Sequence, residues 1–460
     1  MYLYILLKTE NLTLNIWDKN CEMILNELRY RFFWHLDNVK GGNIKNKLNE
    51  IQLCIENSNS AEAKAIKKNH IDCLLKHATK TTPFYKALKE VKTISDFPVI
   101  RKTTIQNDFK SFESTEFKDK DNFRVSTSGS SGVPFFLFQN QEKRNRNHAD
   151  VIYFFNQSGF NVGNRLYELE VWRGHNQKGK LKSWLQNAVQ FDISRLTDQR
   201  IETFLNLLKT DSESKKTMLG FSSAYEMIAQ YLEKKEIVLK DLGLTSAIAN
   251  SEYLNPYTKT TLGKHLNTTV LPRYSSEEIG IIVQQTLDSP NNFIINNASY
   301  HVELLNLEND NPIQPGEFGR IVVTDLFNYA MPIIRYDTGD IAKLGLTEDG
   351  SMALEQIEGR KMDLIYDSAG NIISSFVVYT KFYKYYKLLK QYQFIQQGEK
   401  EYEVKLNLQN DKFEFETDLI NDIKSDFGSD ATVTITYVDE IPALSSGKRR
   451  KVINNLKNLN

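Results

Sequence analysis

Arg124-Val-Ser-Thr-Ser-Gly-Ser-Ser-Gly-Val-Pro134 packs five hydroxyl residues (Ser126, Thr127, Ser128, Ser130, Ser131) and two glycines (Gly129, Gly132) into seven consecutive positions. Glycine lets backbone N–H groups turn inward and approach a ligand closely. The neighbouring hydroxyls add short, uncharged donors. A loop of this kind can wrap an anion, phosphate being the usual one. It is not a P-loop, because no Gly-Lys-Ser/Thr closes it. The competing reading is a flexible linker, since Ser/Gly runs also serve as spacers. The flank argues for a turn between ordered elements: the apolar, strand-like Pro134-Phe-Phe-Leu-Phe138 follows directly.

The chain has 460 residues, 40% hydrophobic and 25% charged, which suits two or three globular domains with full cores. Lys plus Arg balance Asp plus Glu at 58 each, so no bulk basic field invites nucleic acid. Three cysteines (Cys21, Cys54, Cys73) form no CxxC pair and suggest a reducing compartment. Met1-Tyr-Leu-Tyr-Ile-Leu-Leu7 is apolar but short, and it lacks a basic leader and a cleavage site. No run approaches the length of a membrane span. The expectation is a cytoplasmic protein without membrane insertion.

Residues 1–100 read as a helical lead-in. Ile66, His70, Cys73, Leu74 and His77 follow helical spacing ahead of Thr81-Thr-Pro83. We read the two histidines as part of a half-buried face, since no partner set here has metal-ligand spacing. Past the Ser/Gly run, strands and helices alternate. Leu166-Tyr-Glu-Leu-Glu-Val-Trp172, Met218-Leu-Gly-Phe221 and Thr245-Ser-Ala-Ile-Ala249 read as strands. Thr197 reads as the cap of a helix burying Ile201, Phe204, Leu205 and Leu208. Ser222-Ser223 read as the cap of another, with Ala224, Met227, Ile228 and Tyr231 on one side. This rhythm predicts βαβ units and a mainly parallel sheet. Ligands then gather at the carboxyl ends of the strands, where Ser222-Ser223, Asn250-Ser-Glu252 and Tyr274-Ser-Ser-Glu-Glu278 fall. From Phe293 the texture changes to short strands and turns. Pro332-Ile-Ile-Arg-Tyr-Asp-Thr-Gly-Asp340 reads as a strand ending in a carboxylate-rich turn. Gly359-Arg-Lys-Met-Asp363 reads as a joint, followed by Glu401–Leu406, Phe415–Ile423 and Ala431–Tyr437 in βαβ-like alternation.

Four motifs in order now resemble the adenylate-forming (acyl-AMP) ligases: Ser126-Thr-Ser-Gly-Ser-Ser-Gly-Val-Pro134, Tyr274-Ser-Ser-Glu-Glu-Ile-Gly280, Ile334-Arg-Tyr-Asp-Thr-Gly-Asp340 with Gly359-Arg360, and Ser446-Gly-Lys448. Thr82-Pro-Phe-Tyr85, Phe97-Pro98 and Gly316-Glu-Phe-Gly-Arg-Ile-Val-Val-Thr-Asp325 look like the phenylacetate–CoA ligase branch, which includes ligase-like proteins of capsule and surface-polysaccharide synthesis. The resemblance implies an α/β fold. A large multi-layer domain (residues 1–360) would bind nucleotide and acid, and a small mobile α+β lid (361–460) would carry the catalytic lysine. It implies ATP-dependent activation of a carboxylic acid with Mg²⁺, and acyl transfer to CoA by default. A carrier protein or a sugar amine or hydroxyl is the alternative acceptor.

The same resemblance assigns roles. Ser126, Thr127, Ser128, Gly129, Ser130, Ser131 and Gly132 would hold phosphate, with Val133 where many members carry lysine. Glu278 would bind Mg²⁺ and serve catalysis. Tyr274, with Ser275 and Ser276, would lie at the adenine. Ser251 and Glu252 would also touch nucleotide. Asp340 would accept the ribose hydroxyls and Arg360 would approach ribose or phosphate. Lys448 would neutralise the transferring α-phosphoryl group. Trp172, Phe221, Ser222 and the 246–252 segment would line the acid pocket. Met362 stands where the family carries its hinge aspartate, and Ser275 where glycine is usual. A nucleotide-binding protein without catalysis is the reading from another class. A sugar-nucleotide glycosyltransferase has no support, for lack of a DxD-like metal site.

Overall fold

The computed structural model describes residues 22–127, 135–172, 177–360, 365–373, 375–385, 388–410, 412–442 and 450–456. The chain divides into two compact units. The first comprises Met1–Gln52, Asn145–Arg273 and Gln284–Pro290; the second comprises Leu53–Arg144, Tyr274–Val283 and Asn291–Asn460. Strands are numbered along the chain. β1 (Phe123–Thr127) and β2 (Phe135–Gln139) form an antiparallel pair in the second unit, with Thr127 opposite Phe135.

The first unit is built on parallel strands. β3 (Arg165–Glu170), β4 (Ala188–Asp192), β5 (Lys216–Phe221), β6 (Leu244–Asn250) and β7 (Thr269–Ser276) lie in the order β7-β6-β5-β3-β4. Residues 274–276 of β7 already belong to the second unit. Tyr167, Leu169, Met218 and Ala247 face one way, onto the helices Asp198–Thr210, Ser222–Lys234 and Pro256–Leu266. Leu166 and Ile248 face the other way, onto Phe155 and Val151 of the helix Gln141–Asn156. Side chains that alternate between two covered faces are what a parallel sheet demands.

The helix after Thr197 forms as its spacing predicts. The Thr197 side chain accepts the Arg200 N–H at 3.3 Å, and Ile201, Phe204, Leu205 and Leu208 are its buried residues. Thr197→Ala should lower stability by about 1 kcal/mol, read as a shifted urea midpoint with unchanged slope.

Ser222 and Ser223 do not cap their helix as expected. Phe221 is the cap residue and makes no side-chain cap bond. Glu252, from the loop after β6, does that work instead: its Oε2 accepts the Ser223 N–H at 2.9 Å and its carbonyl accepts the Ser222 hydroxyl at 2.9 Å. A carboxylate at a helix N-terminus also suits the helix dipole. Met227 is exposed rather than buried, and so is Cys73 on the helix Ala61–Thr81. The two histidines of that helix do pack as read. His70 lies 4.7 Å from the Phe327 ring, and His77 bonds the Tyr329 carbonyl at 2.9 Å.

In the second unit, β8 (Gly280–Gln284), β9 (Phe293–Ile295), β10 (Tyr300–Leu305), β11 (Phe318–Asp325), β12 (Tyr336–Leu346) and β13 (Met352–Arg360) run in the order β10-β11-β12-β13-β9-β8. Asp337 to Asp340 open strand β12 rather than forming a turn after a strand. The turn-like composition is spent on bulges: the register slips between Arg320 and Val322 and again after Asp340. Gly339 sits at φ +82°, with its N–H held by Asp337 at 3.0 Å.

The last part has its own sheet. After the short pair β14 (Ile365–Tyr366) and β15 (Ile372–Ile373) come β16 (Leu389–Gly398), β17 (Glu401–Leu408), β18 (Thr432–Tyr437) and β19 (Val452–Asn454), ordered β18-β17-β16-β19. β17, the helix Glu416–Phe427 and the parallel strand β18 make the expected βαβ unit. Its core holds Phe394, Tyr402, Leu419, Ile423 and Phe427.

Candidate functional site

Glu278 lies in the turn between β7 and β8, and the turn is fixed from below. The Gln139 amide donates to the Glu278 carbonyl at 3.3 Å. The Tyr300 hydroxyl donates to the next carbonyl, Ile279, at 2.8 Å. Tyr300 in turn accepts from the Lys143 ammonium at 3.0 Å, and that ammonium is paired with Asp325 at 2.7 Å, both side chains fully buried. The Glu278 carboxylate remains half-exposed, with the Tyr336 hydroxyl 3.4 Å from Oε1. Burial first, and then the Glu278 charge, push the Tyr336 phenol far up, so it stays protonated as a donor.

Tyr274, near the end of β7, donates its hydroxyl to Asp340 Oδ2 at 2.6 Å. Burial, followed by the Asp340 charge, raises this phenol well above its ordinary value. Asp337, next to the bulge, is paired with Arg320 at 2.7 Å. Arg335, just before β12, holds φ +51°, a region a side chain rarely adopts. Its guanidinium is tied to the Phe97 carbonyl at 2.9 Å and to Glu303 at 3.1 Å. Asp340 pairs in register with Arg360 at the end of β13. Tyr274, Glu278, Tyr336, Asp340 and the backbone of Arg360 therefore belong to one connected arrangement. Ser275 and Ser276 on β7 are half-exposed beside it.

The Ser/Gly run lies in sequence between β1 and β2, which pair antiparallel with Thr127 opposite Phe135. Ser126 is exposed on β1. Ser128, Gly129, Ser130, Ser131, Gly132 and the Thr127 side chain lie outside the described residues, as do the Arg360 side chain, Met362 and Lys448.

The expected acid-pocket residues lie in the first unit. Trp172 follows β3, Phe221 ends β5, Ser222 starts the next helix, and Ser251 and Glu252 follow β6. β6, β5 and β3 are neighbours, so these strand ends sit side by side. Ser251 holds φ +68° without being glycine. The Trp172 N–H donates to Asp192 Oδ1 at 3.1 Å. Phe221 packs partly on the helix-side core.

Sequence reasoning did not find Gln139, Lys143, Tyr300 or Tyr336. Lys143 sits in Gln141-Glu-Lys-Arg144, which reads as a solvated helix start. Tyr336 lies inside the Ile334–Asp340 motif, but nothing in its spacing marks the phenol. Among the described residues no group of three His, Cys, Asp or Glu is arranged to hold a metal, and no helix is long and apolar enough to cross a membrane.

Residues 365–455 match the family model described as CapK C-terminal domain. Over 380 residues the chain is 22% identical to protein CapK of Staphylococcus aureus, covering 80% of this chain and 81% of that one. A crystal structure of 2-hydroxyisobutyryl-CoA ligase in the postadenylation state with R3-HIB-AMP is similar with a TM-score of 0.69 and 17% identity, covering 87% of this chain and 91% of the other. An open conformation of that ligase with 2-HIB-AMP and CoA gives 0.57 at 18% identity, over 85% and 92%. ATP-bound MatB from Rhodopseudomonas palustris gives 0.53 at 14% identity, over 71% and 66%. At such identities the likeness to the solved structures is one of fold. That fold is the mixed α/β architecture of adenylate-forming ligases, as the four motifs led us to expect.

Proposed function

We propose that this chain activates a carboxylic acid by adenylation and passes the acyl group to a thiol, by default that of CoA. The carboxylate attacks the α-phosphorus of ATP, the bond to the β-phosphate oxygen breaks, and pyrophosphate leaves. The thiol then attacks the acyl carbon and AMP departs. The observation that carries this reading is the linked set Tyr274, Asp340, Tyr336 and Glu278. It sets an aromatic ring and a hydroxyl-accepting carboxylate beside a second carboxylate held on a fixed turn.

In this reading Tyr274 packs against adenine and Asp340 accepts ribose hydroxyls. A carboxylate has lone pairs enough to serve Tyr274 as well. Ser126 to Gly132 surround the phosphates, and Ser251, Glu252, Ser275, Ser276 and Arg360 complete the nucleotide contacts. Trp172, Phe221 and Ser222 border the acid. Glu278 fits Mg²⁺, which takes few protein carboxylates and fills its shell with phosphate oxygens and water. When bound, the ion offsets phosphate charge. Lys448 belongs to a small domain (residues 361–460) that turns about Met362, bringing its charge to the α-phosphoryl group only for the first half-reaction.

The likeness to CapK over most of the chain favours a second reading of the acceptor. An enzyme of surface-polysaccharide synthesis would pass the acyl group to a carrier protein or to a sugar amine or hydroxyl. The test is the nucleotide product with an accepted acid. AMP and pyrophosphate in equal amounts support adenylation; ADP and phosphate would replace it with an acyl-phosphate mechanism.

A further inference from the structure

β5 is the central strand of the parallel array in the first unit, yet its Leu219 is only half-buried. Leu219 packs beside Leu166 and Ile248 on the face that meets the helix Gln141–Asn156. A central strand with both faces covered should bury such a residue completely. Its partial exposure shows that the helix does not cover this face of the sheet completely.

Polar side chains share this face. Glu168 is the register neighbour of Leu219 on β3, and Gln190 is the neighbour of Glu168 on β4. Asn250 is two residues beyond Ile248 on β6 and shares its face by alternation. Asn147 lies one helical turn before Val151, on the same stripe of the covering helix. Glu168 is only 8% exposed. One of its oxygens accepts the Lys178 ammonium at 2.5 Å, while the Lys178 N–H donates to Gln190 Oε1 at 3.1 Å.

The remaining atoms of this set are shielded from solvent and unpaired among the described residues. They are Asn147 Oδ1, Glu168 Oε2, Gln190 Nε2, Asn250 Oδ1 and, just past the strand, Glu252 Oε1. Four of the five are acceptors. The two carboxylate oxygens accept whichever way the amides are turned. Shielded acceptors without donors are costly, so such a set suits a ligand that brings donors.

We infer that the acid taken by this enzyme carries hydrogen-bond donors on its acyl chain, as hydroxyl or ammonium groups, and that Asn147, Glu168 and Asn250 select for them. This rests on the adenylation reading and gives it a substrate class. A site built to bond a donor rejects the analogue lacking it far more strongly than an apolar pocket rejects a missing methylene.

The experiment pairs acids that differ only at the donor: 3-hydroxybutyrate with 3-methylbutyrate, 4-aminobutyrate with pentanoate, and 4-hydroxyphenylacetate with 4-methylphenylacetate. Each is assayed with wild-type protein by exchange of labelled pyrophosphate into ATP. The donor-bearing member should win by about 10²-fold or more in kcat/KM in the hydroxy arm or in the amino arm. Glu168→Gln and Asn147→Leu, verified as folded by an unchanged melting temperature, should each shrink that ratio by about tenfold or more. Equal or better exchange with the methyl members overturns the inference and leaves adenylation standing. If none of the six acids drives exchange, adenylation is left to the broader acid pool, and saturation-transfer NMR with the same pairs decides the subsite separately. Contact with donor-bearing acids alone supports it, and contact with both members or neither ends it.

Discussion

Lys448→Ala should slow pyrophosphate exchange by about 10²–10³-fold, the usual effect of removing one donor aimed at transition-state charge. In the proposed reaction the two reactants are both anionic, and Glu278 and Asp340, the groups proposed to meet them, are anionic too. A cation has to come from elsewhere. The competing view is a loose basic tail, since Lys448, Arg449, Arg450 and Lys451 are consecutive. Arg450 and Lys451 are not loose. Gln393 donates to the Arg450 carbonyl at 2.7 Å, and the Phe394 N–H donates to the Lys451 carbonyl at 2.8 Å. The Lys451 ammonium lies over the Tyr392 ring, 5.0 Å from its centre, and β19 then pairs with β16. A tail anchored this closely can present one lysine reproducibly. Lys451→Ala should retain most of the exchange. Equal losses at Lys448 and Lys451 would return the run to a general basic patch.

Lys143→Met should destabilise the protein by about 3–5 kcal/mol, because it leaves the Asp325 carboxylate buried without its cation. Lys143 and Asp325 are both fully buried, and the same ammonium supports Tyr300, whose hydroxyl holds the carbonyl next to Glu278. The measurement is urea unfolding of the variant and of Lys143→Met/Asp325→Leu. The double variant should recover most of the loss, since a buried ion pair is often replaceable by apolar side chains of similar volume. At a permissive temperature, Lys143→Met should also raise KM for ATP with Mg²⁺ more than it lowers kcat, because the turn under Glu278 is loosened. A single-variant loss below about 1 kcal/mol would mean that water reaches Asp325 and that the pair supports neither fold nor turn.

The sequence was most legible where the cause of structure is local. Thr197 and the stripe Ile201, Phe204, Leu205 and Leu208 fit because capping and helical period act within a few residues. The parallel unit β17, helix, β18 was readable for the same reason. Misreadings came where a distant group took over. Ser222 and Ser223 look like caps, but the capping carboxylate arrives from Glu252. Asp337 to Asp340 look like a turn, but their glycine and carboxylates shape a bulged strand. The candidate site was legible in its motif residues: Tyr274 and Asp340, 66 positions apart, meet through a hydrogen bond. The supports beneath it were not. Lys143 lies in a charged helix start, and only the tertiary fold buries it against Asp325 and Tyr300.

Adenylation itself is tested most directly by exchange of labelled pyrophosphate into ATP in the presence of Mg²⁺, without CoA, against a broad pool of hydroxy, amino and unsubstituted carboxylic acids. The label should enter ATP only when an acid is present, and splitting the pool should name that acid. ATP binding with no acid-dependent label in ATP across the whole pool would contradict the account and leave a nucleotide-binding protein without this chemistry.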